Sequence, residues 1–336
     1  MRLTLLAVAS ETGLGYQTKA YYKHLKPDKV VIIDISDLNG QKQHYEWYED
    51  APQLQVIKGI PRDDELHSIL EDTNVLLTAE TVYNMNMYRV AKILGVKTIC
   101  VENPEFYDHV KYPQYDMPDY IILPSVWKQE EITAHANHRG TKVVQIHHPV
   151  DLDEIKFVER HSYKFMHIAG NPAAHDRNGT WDFLQACPDG LVTTQNKVFA
   201  NLIRKRYRQS RVLDNITDNK TLYELGDILV LPRKYGGNCL PLNEALASGM
   251  PVIMPDISPN NHLLPKEWLV KAYVTGSFEP RTKVDIYTVD HDDLRNKIDW
   301  FRQQNIAEQS RRARSLAETI SWEHLKDRYL EVIHAA

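Results

Sequence analysis

Cysteine is scarce and scattered: three occur in 336 residues, at Cys100, Cys187 and Cys239. An odd number at wide spacing builds neither a disulfide framework nor a metal knuckle, and it fits a reducing cytoplasm. Long apolar runs are lacking too, and no stretch suffices for an integral membrane segment. The run 3–9 is short and leads into a glycine turn, so it reads as a buried strand rather than a secretory leader. Charge of one sign is not in excess. A net charge of −5 gives no global attraction to nucleic acid. Internal repeats and low-complexity tracts are absent. What remains is the composition of a globular protein, 43% hydrophobic and 25% charged, with the length of two ordinary domains.

The most informative stretch is 229–256, LVLPRKYGGNCLPLNEALASGMPVIMPD. An apolar run at 228–231 reads as a buried strand. Gly236 and Gly237 lie in the loop that follows. A helix is expected over 241–248, closed by Gly249, and a second strand over 252–254. Strand, glycine loop, helix, strand is a parallel-sheet unit. Its loop sits where a strand's carboxyl end meets a helix amino terminus, and backbone N–H groups there favour an anion. Glu244 lies one turn into the helix. A carboxylate there can accept hydrogen bonds from vicinal hydroxyls while the loop amides hold phosphate. That pairing suits a nucleotide sugar.

The same stretch resembles the donor-binding segment of retaining GT-B glycosyltransferases, the group related to bacterial mannosyltransferases and glycogen synthases. The family pattern is roughly Pro-Ser-x-x-Glu-Gly-Phe-Gly-Leu-Pro-x-x-Glu-Ala-x-Ala-x-Gly-x-Pro-Val-Ile. Pro232, Gly237, Leu240, Pro241, Glu244, Ala245, Ala247, Gly249, Pro251, Val252 and Ile253 match it. The resemblance gives Glu244 the nucleotide ribose. The family's first glutamate, which meets the transferred sugar, is replaced by Gly236. Gly-Gly-Asn-Cys-Leu-Pro and Ser-Pro-Asn-Asn together resemble a divergent branch seen among phage-encoded enzymes. The resemblance implies an α/β protein of two Rossmann-like domains, with parallel sheets facing a cleft. It implies a nucleotide sugar as substrate, no further cofactor, no bound metal and retention of anomeric configuration.

Gly13-Leu14-Gly15-Tyr16 follows the first strand as a tight turn, with a helix over 17–25. Glycine lets a backbone approach a phosphate closely, and the family places such a loop against the donor diphosphate. A third glycine at the dinucleotide spacing is missing, which disfavours a nicotinamide enzyme. Residues 41–50 read as a surface excursion whose aromatic side chains pack. Helices are expected over 62–70 and 85–94. Glu80 and Glu102 fall just past strand ends, the edge where open α/β sheets bind ligands. Glu102 and His109 are the candidates for orienting an acceptor hydroxyl or stabilising charge. His135, His138, His147 and His148 lack a partner carboxylate or cysteine at ligand spacing, so no metal site is expected.

The domain divisions read as 1–155 for the acceptor side, 156–318 for the donor side and 319–336 for a helix crossing back. In the donor half, Asn171 and Asn178 occupy the family's two diphosphate-clamping basic positions. Arg177, Arg233 and Lys234 are the substitute cations. The donor-binding set is therefore Gly13, Gly15, Tyr16, Asn171, Arg177, Arg233, Lys234, Gly236, Gly237, Asn238, Cys239, Leu240 and Glu244. The run 204–211 is the most basic. It reads either as a solvated helix face or as a track for a phosphate backbone, the latter admitting a modified DNA base as acceptor. A glycan, lipid-linked or protein acceptor is the alternative. A sugar-nucleotide epimerase of the same fold and a non-catalytic binding protein remain open. Oligomeric state is not encoded legibly.

Overall fold

The computed structural model describes residues 1–107, 114–170, 174–214, 216 and 219–336. His109 and Asn171 lie outside the described residues. The chain divides into one unit of Met1–His148 with Leu325–Ala336 and a second of Pro149–His324.

In the first unit, apolar runs such as LTLLA and KVVIID are buried from end to end, as strands covered on both faces must be. They are β1 (Leu3–Ala7), β2 (Lys29–Asp34), β3 (Leu54–Lys58), β4 (Val75–Ala79), β5 (Lys97–Val101), β6 (Tyr120–Leu123) and β7 (Lys142–Gln145). They form one parallel sheet in the order β3-β2-β1-β4-β5-β6-β7. One core cluster joins Val31, Leu76 and Ile121 of the sheet to Leu66, Met87 and Ile132 of the covering helices. The helix Trp322–Ala335 closes the chain, and the Tyr120 hydroxyl donates to the Ala335 carbonyl at 2.8 Å.

Two local expectations change. The Gly-x-Gly segment is not a turn but the first turn of the helix Gly13–Leu25. The Thr12 hydroxyl caps that helix by accepting from the Gly15 amide at 3.1 Å, so the tight turn moves upstream to Ser10–Thr12. A Cβ on Gly15 would stand 1.9 Å from the Ser10 carbonyl oxygen, so the glycine serves this close approach. The helix expected over 62–70 shrinks to Leu66–Leu70, because the Glu65 carboxylate accepts from the Arg62 amide at 2.8 Å and holds a turn there. In the aromatic excursion, a single 3-10 turn Tyr45–Tyr48 buries Tyr48 completely against the Thr18 hydroxyl and the Val8 carbonyl.

The second unit carries β8 (Phe165–Gly170), β9 (Leu191–Thr194), β10 (Arg211–Leu213), β11 (Ile228–Val230), β12 (Val252–Pro255) and β13 (Leu269–Val270). These are parallel in the order β10-β9-β8-β11-β12-β13. The order reverses between β8 and β11. That leaves a crevice at their carboxyl ends, where open α/β sheets take ligands. An antiparallel hairpin follows, β14 (Ala272–Phe278) with β15 (Val284–Val289). Its first strand is exposed along most of its length and carries no continuous apolar signal, so the residues alone do not announce it.

Gly15→Ala should lower the stability of the first unit by about 1–3 kcal/mol, through overpacking against Ser10. Gly276→Ala, with open space around it, should change stability by less than about 0.5 kcal/mol. Urea unfolding of both variants checks this, and equal midpoints would contradict it.

Candidate functional site

The crevice at the β8–β11 reversal holds a pocket of about 270 Å³, lined among others by Ala169, Arg177, Arg233, Asn238, Cys239 and Leu240. Two loops build it. One holds Asp176, Arg177 and Asn178 ahead of the helix Thr180–Ala186, and the other runs from β11 to the helix Leu240–Ala247. They are tied together by backbone: the Lys234 amide donates to the Arg177 carbonyl at 2.8 Å. Beneath them, the fully buried His167 spans both strands. One ring nitrogen meets the Val230 carbonyl at 2.7 Å and the other the Thr180 hydroxyl at 3.0 Å. Burial pulls its pKa down to about 4, so the ring is neutral at pH 7.

Two guanidinium groups converge at the pocket. A Cβ on Gly236 would meet the Arg177 Nη2 at 2.3 Å and the Arg233 Nη2 at 2.5 Å. Gly236 also has φ +115°, outside the ordinary range of side-chain-bearing residues. The backbone conformation favours glycine where the family pattern has glutamate, and a side chain there would have to displace the two guanidinium ends. Arg233 is only 7% exposed and its Nε has no hydrogen-bond partner. The Arg177 guanidinium lies 5.2 Å from the Tyr235 ring centroid and its Nε donates to the Tyr235 carbonyl at 3.4 Å. Phe278 of β14 packs edge-on against Tyr235 at 4.9 Å, so the hairpin braces this loop. The Tyr287 amide of β15 adds a bond to the Lys234 carbonyl at 3.0 Å.

The other expected cations behave differently. The Lys234 ammonium turns to Asp182 at 3.3 Å, and Asp182 also holds His291 at 2.7 Å. The Asn178 amide donates to the Ile168 and Ala169 carbonyls at 3.1 and 3.2 Å, and so anchors its loop to the end of β8. Asp176 caps the helix Thr180–Ala186 through the Thr180 and Trp181 amides at 2.9 and 3.1 Å. Burial raises its pKa against those bonds. An aspartate four residues ahead of a helical run was the available signal. The helix Leu240–Ala247 has no side-chain cap, and Pro241 sits in its first turn. Its amino end therefore presents backbone polarity to the pocket that Asn238, Cys239 and Leu240 line.

Glu244 stands one turn along that helix. The buried Tyr223 hydroxyl donates to its Oε2 at 2.5 Å. Burial lifts the Glu244 pKa from 4.5 to about 7, with the Tyr223 bond pulling the other way. Nothing in the sequence flagged Tyr223.

Gly13, Gly15, Tyr16 and Glu102 belong to the other unit. Tyr16 stacks on Trp47 with centroids 5.5 Å apart. Glu102, just past β5, is 1% exposed, and the Cys100 thiol donates to it at 3.6 Å. Glu80, just past β4, accepts from the Asn103 amide at 2.8 Å. His135 meets the Tyr107 hydroxyl at 2.6 Å. Among the described residues no three His, Cys, Asp or Glu side chains converge as a metal site.

Solved structures share this architecture. An Anabaena protein, HepE, solved in complex with UDP, matches with a TM-score of 0.71 at 10% identity, over 100% of both chains. The sucrose-phosphate synthase of Thermosynechococcus elongatus matches at 0.70 and 13% identity, again over 100% of both. The catalytic domain of Arabidopsis thaliana starch synthase IV, bound to ADP and acarbose, matches at 0.64 and 10% identity over 98% of each. The fold is that of the GT-B glycosyltransferases. No family model matches the chain, and no curated protein matches it in sequence.

The Glu244 shift has a defined sign. The folded state holds this proton more tightly than the unfolded chain, so stability declines as pH rises from about 4.5 to about 7 and the full cost applies above that. Glu244→Gln should flatten that decline and gain about 1–2 kcal/mol over the native chain at pH 8, allowing for the side chain's partial exposure to the pocket. Urea unfolding across that pH range checks it, and parallel profiles for the two proteins would contradict it.

Proposed function

We propose that this chain is a glycosyltransferase that moves a sugar from a nucleotide-sugar donor to a hydroxyl-bearing acceptor, with retained anomeric configuration. The observation that carries the reading is the convergence of Arg177 and Arg233 on Gly236, beside the uncapped start of the helix Leu240–Ala247. A diphosphate is the complement of that arrangement. It carries distributed negative charge, and guanidinium forks bind phosphate oxygens through charge-assisted bonds. Glu244 then takes the ribose hydroxyls. Its ionised form, disfavoured by burial, regains hydrogen bonds from the ligand.

As the anomeric carbon–oxygen bond to the diphosphate breaks and the acceptor oxygen bonds the same carbon, charge grows on the departing phosphate. Donors fixed in place beforehand stabilise that charge without reorganising. Glu102 and His109 are assigned the acceptor side. The burial of Glu102 suits an orienting role more than direct proton exchange with solvent. The UDP, UDP-glucose and ADP complexes of the structural neighbours favour a nucleotide-sugar donor. No helix among the described residues is long and apolar enough to cross a membrane, and a cytoplasmic enzyme drawing on soluble nucleotide sugars is the reading we adopt.

A thermal-shift series with uridine, adenosine and guanosine diphosphates and their sugars should show at least one ligand that raises the melting temperature. Arg233→Ala should weaken the tightest of them about 10- to 100-fold, the loss of one charge-assisted contact worth about 1.5–3 kcal/mol. No stabilisation by any of the series, or full affinity in a folded Arg233→Ala variant, would contradict the proposal.

A further inference from the structure

Away from the pocket, the helix Lys197–Arg206 buries Phe199, Ala200 and Ile203 against the second sheet. Its outward face is unlike an ordinary solvated one. Val198 is 80% exposed and Leu202, one turn on, is 50% exposed. Around this aliphatic pair stand the exposed Lys197, Lys205, Arg206, Arg208 and Arg211, the last opening the edge strand β10. Arg204 is committed elsewhere: it pairs with Asp214 at 3.1 Å and donates to the Val212 carbonyl at 3.0 Å. Arg206 lies over two rings, Trp181 at 5.1 Å and Tyr207 at 5.7 Å, which extend the apolar area at the helix end.

We infer that this face docks on an anionic lipid surface. A phosphate track for nucleic acid needs cations and stacking rings, and gains nothing from a valine and a leucine at its centre. A lipid interface uses both kinds of group. Aliphatic and aromatic side chains enter the headgroup–acyl boundary while lysine and arginine stay with the lipid phosphates. The charge of the whole chain sharpens the point. At −5 it is repelled by an anionic membrane, so attraction must be local and must orient the molecule by this one face.

The test uses the full chain and sedimentation with vesicles. The protein should pellet with phosphatidylcholine vesicles containing about one-third phosphatidylglycerol, and stay in solution with phosphatidylcholine alone. Binding should fall at least about tenfold in Val198→Asp/Leu202→Asp, which keeps every cation, and equally in Lys205→Glu/Arg206→Glu. The milder pair Val198→Ser/Leu202→Ser should give an intermediate loss, and the melting temperature should be unchanged in each. No pelleting with acidic vesicles overturns the inference. So does loss only in the charge-reversed variant, or retention of duplex DNA by the native chain as tight as its hold on the vesicles; either outcome marks the face as a plain polyanion site.

Discussion

A buried guanidinium group, that of Arg233, and a half-buried one, that of Arg177, share one small volume and repel each other. Arg233 is nearly inaccessible, with Nε unbonded, and both Nη2 atoms crowd the space in front of Gly236. Such a pair persists only if the surrounding chain over-determines it. Here it does. The β8 and β11 loops are laced by the Lys234–Arg177 backbone bond, Asn178 is pinned to the end of β8, and the hairpin braces Tyr235 through Phe278 and Tyr287. The glycine at 236 fits this arrangement: its φ of +115° is strained for other residues, and a side chain would push the guanidinium ends aside. An anion between the two guanidinium groups would relieve that repulsion and offer the Arg233 Nε an acceptor.

The acids of this region are engaged by other groups. Asp176 is turned to helix amides and, at 3.9 Å, to the Lys234 ammonium, and Asp182 to Lys234 and His291. Lys234 is thereby withdrawn from the ligand while the two arginines remain. On the other side, Glu244 is held at the edge of ionisation by burial, with Tyr223 as its partner. The site therefore has a cationic part fitted to phosphate. A carboxyl group one helical turn away ionises more readily, releasing its proton to solvent, when a ligand brings hydroxyl donors to the carboxylate. The neutral His167 beneath adds rigidity without adding charge.

Much of this was legible in the residues. Continuous apolar runs marked the parallel strands, because strands buried on both faces leave no polar period, and the stretch from β11 to β12 carried its glycines, helix and Glu244 in readable order. Three features were not legible. The Gly-x-Gly segment looked like a turn. Whether glycines cap a helix or line a loop depends on Thr12 and Ser10 meeting the Gly15 backbone, which is a tertiary fact. The hairpin β14–β15 was missed because one of its faces never meets a core. Among Arg177, Arg233 and Lys234, sequence could name the cations but not sort them. The sorting depends on Asp182 standing 3.3 Å from the Lys234 ammonium.

The account rests on a diphosphate lying between Arg233, Arg177 and the start of the helix Leu240–Ala247, and a crystal of the chain grown with saturating uridine diphosphate tests that most directly. The account predicts phosphate oxygens within hydrogen-bonding distance of the Arg233 guanidinium and the 237–240 backbone, with the ribose hydroxyls on Glu244. A diphosphate bound elsewhere, or a pocket that stays free of nucleotide at saturation, would contradict it.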